Sequence, residues 1–409
     1  MPDPNQEKKP ERRTIKLTTE ELANAGINIG EAATSKLKRR DYLRRSIKEL
    51  GLPSEPQKAI LSDIHGNFSA LKTALEDIRM SFRTEVREAL IRREEQTSRK
   101  PRQVLRIEPG FEKDLERDVD LVAEEIGYPQ IYCLGDVVGY NLQTIEVLEE
   151  AMKFAGCCMG NHERAAFGAY NGLSAGGLKD WLGISMESWA AETLEIVGDQ
   201  LTELENEEQQ KKLVGFLEEL VNNRTEVEIR QDARGIHGFN IDKKLKYPLT
   251  KEMARKYGIP MSVYDLLCID PEKMLTDPEL CKRVFPEGVS WRFTGHSHVP
   301  DIAILDPRGF VIHHEPDRGR ESRSMYMTRV TLQPGQKAFI NVGSSGISRR
   351  KDKETIRRAK DMGMHLDCSY YGLLWGNTFY FREFFYDPSE TETITRKIRR
   401  EFQEMKKGE

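Results

Sequence analysis

Four times along this chain a short apolar run stops at a glycine or another small residue and is followed at once by side chains of the metal-binding kind. Lys58 to Ser62 leads into Asp63-Ile64-His65-Gly66-Asn67, and Gln130 to Leu134 into Gly135-Asp136-Val137-Val138-Gly139-Tyr140-Asn141. Ala155 to Met159 leads into Gly160-Asn161-His162-Glu163, and Ser290 to Thr294 into Gly295-His296-Ser297-His298. A fifth block, His237-Gly238, follows a poorly apolar strand around Val227 to Ile236. Short apolar runs bounded by turn residues read as buried strands. Five of the eight histidines (65, 162, 237, 296 and 298) stand immediately after such strands, whereas random placement would scatter them. Ligands at the carboxyl ends of several strands of an α/β sheet converge on one crevice, so the spacing predicts an α/β fold with a single site.

The stretches between the blocks are mostly helical in pattern. Phe68, Leu71, Leu75 and Ile78 share one helix face after the first block, and Ile145, Leu148 and Met152 share another after the second. From about 80 to 127 an Arg- and Glu-rich segment carries two helical stripes, Phe82-Val86-Leu90 and Leu115-Val119-Val122-Ile126, and reads as an insertion. A second insertion, about 164–288, holds stripes at Met186, Trp189, Leu194 and Val197 and at Leu213, Phe216, Leu217 and Leu220, then a proline-rich loop from 240 to 288. Strands follow about turns at Pro307-Arg308-Gly309 and Pro334-Gly335. Tyr371 to Trp375 and Phe379 to Phe385, joined by Gly376-Asn377, make a two-residue hairpin,. Residues 1–57 read as a charged extension with a helix from Ser35 to Leu50, and 58–409 as the main domain, closed by the hairpin and a polar helix from Glu390 to Met405 that is expected to dock loosely.

With 32% charged and 38% hydrophobic residues the composition is that of a protein with a wet surface,. No stretch approaches the ~20 apolar residues of a membrane span. The first thirteen residues have no apolar leader core, and the six cysteines include no CxxC pair, so the expectation is a cytoplasmic protein with reduced thiols and no membrane partner,. Adjacent Cys157 and Cys158 read as small core residues. The ends are basic and the middle acidic, which suits solvated helix faces more simply than a polyanion partner.

Asp63, His65, Asp136, Asn161, His237, His296 and His298 are the candidate ligands. Nitrogen and oxygen donors without thiolate suit a borderline divalent cation, Mn, Fe, Zn or Co, with Mn the first choice for an assay. Seven donors are too many for one ion. Two ions roughly 3.5–4 Å apart, bridged by a carboxylate, would let each take about four donors.

The five blocks together resemble the calcineurin-like metallophosphoesterase superfamily: D-x-H-G-N at Asp63 to Asn67, G-D-x-x-G at Gly135 to Gly139, G-N-H-E at Gly160 to Glu163, H-G at His237 and G-H-x-H at Gly295 to His298. The resemblance covers 58 to about 348 and implies a β-sandwich flanked by helices. It implies that Asp63, His65, Asp136 and His298 hold one metal and that Asp136 bridges to a second held by Asn161, His237 and His296. It makes His162 the catalytic, non-ligand histidine beside the phosphate, and places Asn67 behind the ligands or facing substrate. The expected reaction is hydrolysis of a phosphodiester or phosphomonoester by a metal-bridging hydroxide, with a phosphorylated small molecule or phosphodiester as substrate. Glu163 carries no role beyond an acid at a helix N-terminus.

Gly139-Tyr140-Asn141 and Met159 stand where protein Ser/Thr phosphatases of the superfamily carry phosphate-clamping arginines, and the wording looks like the YfcE-type and diadenosine-tetraphosphatase-like members instead. Phe239-Asn240 replaces the usual Ser-Pro or Thr-Pro after the His-Gly block, and Asn341-Val342-Gly343-Ser344 resembles the family's Asn-Pro-Gly-Ser loop. The alternatives are a protein phosphatase, a nuclease or a non-catalytic scaffold of the same fold. A nuclease needs basic and aromatic residues interleaved along a surface, and none are evident. A scaffold would be expected to have lost ligands. Substrate and oligomeric state are not written in the sequence.

Overall fold

The computed structural model describes residue 47 and residues 49–98, 110–174, 177, 188–237, 281, 284–314, 328–346, 356–357 and 360–408. The expected helix from Ser35 to Leu50, the Met186 position, the Phe239-Asn240 pair and nearly all of the 240–288 loop lie wholly or largely outside them. The chain divides into two compact units, Met1–Ser54 with Ala89–Glu125, and Glu55–Glu88 with Ile126–Glu409.

Helix α1 (Phe68–Ser98) runs unbroken through position 80, so no element boundary marks the start of the expected insertion. Helix α2 (Phe111–Ile126) carries the expected second stripe. In the smaller unit Ile91, Leu115, Val119 and Val122 are buried, and Arg93 pairs with Glu49 at 3.0 Å.

The larger unit is a sandwich of two six-stranded mixed sheets flanked by helices. One sheet runs β3 (Gly156–Cys157), β2 (Gln130–Cys133), β1 (Lys58–Leu61), β11 (Asp367–Trp375), β12 (Thr378–Tyr386), β9 (Thr328–Thr331). The other runs β4 (Val227–Arg230), β5 (Ala233–Ile236), β6 (Trp291–Thr294), β10 (Lys337–Val342), β7 (Pro300–Leu305), β8 (Val311–His314). Strands β1, β2 and β3 are parallel, as are β5, β6 and β10. Their carboxyl ends therefore open on the same side within each sheet.

Alternation of side chains along each strand sorts the core into layers. Ile60, Tyr132, Leu374, Phe379 and Phe381 of the first sheet meet Val227, Trp291, Phe293, Ile302 and Ile340 of the second. Each such side chain stabilises the sandwich by about 1.5–3 kcal/mol on burial. Ala59, Leu61, Cys133, Tyr371 and Leu373 face the opposite way, onto the helices. These are α1, α3 (Thr144–Ala151), α4 (Asn161–Tyr170), α5 (Ser188–Thr202), α6 (Glu207–Asn223) and α7 (Ser389–Gly408). Cys157 and Cys158 are buried as expected, and the five described cysteines are free. No helix among the described residues is long and apolar enough to cross a membrane.

Two expectations are corrected. The single polar strand around 227–236 is a hairpin, β4 and β5, paired antiparallel. β4 is an edge strand with alternating burial, so half of its residues meet water and a continuous apolar run is not needed,. Strands flank the turn at Pro334-Gly335 as expected, and it carries the chain from one sheet to the other: β9 pairs with β12, and β10 with β6 and β7. Helix α7 is not loosely docked. Phe402 enters the helix-side core, and Thr391 and Thr395 are buried. Ile398 packs on the same core, and threonine and arginine add polar contacts that a hydrophobic stripe does not register. The Gly376-Asn377 hairpin stands as expected, with Trp375 opposite Thr378.

Candidate metal centre

The loops that follow β1, β2, β3, β5 and β6 meet at one end of the sandwich. Backbone hydrogen bonds join the first two: the Asp63 amide donates to the Gly135 carbonyl at 3.0 Å, His65 to Asp136 at 2.8 Å and Gly66 to Val137 at 2.8 Å. The loop after β6 is tied in by the His296 amide, which donates to the Asp63 carboxylate at 2.9 and 3.1 Å. A brace lies behind them. Asn341 donates to the Gly295 carbonyl at 2.9 Å and the Ser344 hydroxyl to the Asp63 carbonyl at 2.8 Å, so the loop after β10 supports both ligand loops.

The backbone here is strained. Among the described residues the non-glycine positions with positive φ are Asp63 (52°), His65 (53°), Asp136 (53°), His296 (69°) and His298 (59°). Every one is a candidate ligand. Left-handed conformations cost L-residues roughly 1–2 kcal/mol each, and such strain persists only where surrounding contacts over-determine it, most often at functional sites.

The donor atoms converge. The Nε2 atoms of His65 and His298 are 2.9 Å apart, and the Asp63 Oδ1 lies 3.1 Å from the second and 3.8 Å from the first. On the other side of Asp136, its Oδ2 is 3.1 Å from His237 Nε2, which is 3.2 Å from Asn161 Oδ1 and 3.1 Å from His296 Nδ1. The Asp136 Oδ2 also stands 3.8 Å from His65 Nε2. It thus reaches both groups. Metal–ligand bonds of about 2.0–2.2 Å place neighbouring donors about 3–3.5 Å apart, so these spacings fit a cation in each group. The His237 Nδ1 donates to the Leu134 carbonyl at 2.8 Å, which directs Nε2 toward the other donors as a second partner does for a ligating imidazole,.

The electrostatics of the protein groups alone point the same way. Burial is the largest influence on His237 and opposes its charge, yet the Asp136 carboxylate holds its pKa up at about 10,. A cation between the same groups would take the place of that proton. Burial, and then the neighbouring His237, press His296 down to about 4, and burial lowers His65 and His162. Burial would raise Asp63 and Asp136, but the imidazoles of His298 and His237 respectively outweigh it and keep both lowered.

Glu163 is the residue whose task the sequence did not disclose. It is completely buried at the third position of α4 and accepts four backbone N–H bonds, from Asp136 at 2.8 Å, Val137 at 2.6 Å, Val138 at 3.2 Å and Gly160 at 2.7 Å. The Gly160 bond is half of a capping box,. The other three hold the loop that carries Asp136. Burial and the Asp136 charge push the Glu163 carboxyl up to about 7. Four donors facing its two oxygens, with no acceptor facing a carboxyl proton, favour the ionised form. A glycine three residues ahead of the glutamate was the available signal.

Asn67 takes a structural place. Its oxygen accepts the Ala70 amide at 3.0 Å, capping α1, and its amide donates to the Gly346 carbonyl at 2.9 Å and the Tyr386 hydroxyl at 3.0 Å. It is buried behind the ligand loop, and those contacts, rather than a substrate, occupy its polar atoms.

His162 stands beside the donors. Its Nε2 is 3.9 Å from Asp136 Oδ2, its backbone amide donates to Asp136 Oδ1 at 3.0 Å, and its Nδ1 has no hydrogen-bond partner among the described residues. The ring fits because position 139 has no side chain. A Cβ at Gly139, where φ is +126°, would lie 2.1 Å from His162 Nδ1. Gly139→Ala is therefore expected to lower activity at least tenfold while leaving most of the fold intact, as backbone strain and a displaced imidazole add. Side-chain NMR of His162 alongside kinetics checks it. Tyr140, absent from the expected set, is half-buried and packs its ring 4.3 Å from that of His65 and 4.7 Å from that of His162.

No protein-family model matches the chain, and no curated protein matches its sequence. Among solved structures the chain is similar to a crystal structure of a metallophosphoesterase from Sphaerobacter thermophilus, 17% identical over 84% of this chain and 93% of that one, with a TM-score of 0.43.

Proposed function

We propose that the chain is a metal-dependent phosphoesterase with a dinuclear centre. The observation that carries this is the single carboxylate of Asp136 reaching two groups of nitrogen and oxygen donors: Asp63, His65 and His298 on one side, Asn161, His237 and His296 on the other. Bound there, two divalent cations would supply a hydroxide nucleophile at neutral pH and neutralise charge on a phosphate ester.

The chain's own groups do the rest. Asp136 keeps the two groups in register, and Glu163 keeps Asp136 in place. His162, the imidazole least engaged with the donors, is placed to donate a proton or hydrogen bond to an oxygen of the substrate. The half-buried members, Tyr140, Asn161 and His296, mark the face from which a substrate enters. Tyr140 sets an aromatic face there, not a guanidinium. A doubly charged phosphate is the one better held by arginine, so Tyr140 at this place weakens a phosphoprotein substrate and, between small esters, favours the singly charged phosphodiesters over phosphomonoesters.

The test is turnover by purified protein, stripped with chelator and reloaded with Mn, across p-nitrophenyl phosphate, bis-p-nitrophenyl phosphate, cyclic nucleotides, dinucleoside polyphosphates and phosphopeptides. Metal-dependent hydrolysis is expected, and His162→Ala is expected to lose about 10²–10⁴-fold in kcat. No turnover of any ester with metal present, or full activity in His162→Ala, would overturn the proposal.

A further inference from the structure

The loop from Gly139 to Gln143 carries Tyr140 to the centre, and it is held from behind by more groups than a surface loop needs. Asn141 donates to the His65 carbonyl from its backbone at 2.9 Å and from its side chain at 3.2 Å. The Gln200 amide on α5 donates to the Leu142 carbonyl at 3.0 Å. The remaining anchors come from α7, at the other end of the sequence. Its Thr395 hydroxyl accepts the Leu142 amide at 3.1 Å, and its Thr391 hydroxyl bonds the Gln143 side chain. Arg399 Nη2 donates to the Tyr140 carbonyl at 3.0 Å and to the Thr193 hydroxyl at 2.9 Å.

The Tyr140 carbonyl is one residue from the glycine that makes room for His162, and the Tyr140 ring lies on both His65 and His162. A charged donor on that carbonyl fixes the peptide that sets both. Because the donor is charged, this bond is stronger than one between neutral groups.

We propose that α7 is a latch on the catalytic loop and that Arg399 is a positioning residue, holding Tyr140 and Gly139 so that the His162 imidazole stands in its working orientation. The proposal rests on the phosphoesterase reading for its kinetic consequence, but not for its structural one. Arg399 reaches the centre through the Tyr140 carbonyl, and its bond to Thr193 ties that carbonyl to α5.

The experiment compares wild type, Arg399→Ala, Arg399→Met, Arg399→Lys and Lys406→Ala. Arg399→Met keeps the packing stem and removes the donors, so it serves if the alanine variant folds poorly. Lys406→Ala breaks an exposed 3.0 Å pair between α7 and Glu195 of α5 that includes no residue of the loop. Removal of the Arg399 donors is expected to lower kcat about tenfold through misplacement of the site, with KM changed less than twofold. Amide exchange in the peptide covering 139–143 should quicken, while the unfolding midpoint moves no more than in Lys406→Ala. Arg399→Lys should recover most of both, because an ammonium can reach the same acceptors.

Unchanged kcat and exchange in Arg399→Met, or the same losses in Lys406→Ala, would overturn the latch. Should the wild type hydrolyse no phosphate ester, the functional reading fails, and the exchange comparison still decides whether α7 holds the loop.

Discussion

Asp136→Ala should abolish turnover, with kcat/KM falling on the order of a thousandfold or more, and should reduce bound metal at both positions together. The expectation follows from where the carboxylate sits. Oδ2 is 3.1 Å from His237 and 3.8 Å from His65, and Oδ1 accepts the His162 amide at 3.0 Å, so one side chain joins the two donor groups and seats the neighbouring histidine. By comparison, His296→Ala removes one donor from one group and leaves the other group whole. Titration with Mn followed by assay of both variants checks this. Loss of one equivalent of metal in Asp136→Ala, with the other retained at wild-type affinity, would mean that the carboxylate belongs to one group only.

Glu163→Ala is expected to destabilise the fold by about 4 kcal/mol or more. Four buried backbone donors lose their acceptor, and each unsatisfied one costs about 1–3 kcal/mol before relaxation or an entering water recovers part. Glu163→Gln should recover less than half, since its NH2 group turns a donor toward N–H groups that are themselves donors. Urea unfolding of the metal-free proteins measures both. A loss under about 1 kcal/mol in the alanine variant would mean that water replaces the carboxylate and that the Asp136 loop holds itself.

The parts of this molecule that the sequence discloses are the ones written in contiguous residues. Each block of the Asp63-Ile64-His65 kind places a buried strand, a tight turn and its ligands within about ten residues, so local rules suffice to find it. The parts it conceals depend on partners far along the chain. Glu163 reads as a helix-end acid because α4 begins two residues before it, and only the structure shows that the amides of Asp136, Val137 and Val138 share it. Helix α7 reads as loosely attached because, beside Ile398 and Phe402, its docking face is built from Thr391, Thr395 and Arg399, and the partners of these three are loop backbone and side chains about 200 or more residues upstream. The β4–β5 hairpin hid in a polar stretch because an edge strand with one wet face has no apolar run to see. Asn67 was expected either behind the ligands or facing substrate, and its capping bond to Ala70 puts it behind the ligand loop. Tyr140 was noted only as a departure from an arginine; its position against two imidazoles gives it a part in the site.

The central claim is that one carboxylate spans two cation positions, and metal stoichiometry tests it most directly. Protein stripped with chelator, dialysed against Mn and analysed by plasma mass spectrometry should hold about two equivalents per chain, falling well below one in Asp136→Ala. No metal bound by the wild type, or an Asp136→Ala variant that binds as much as the wild type, would contradict the account.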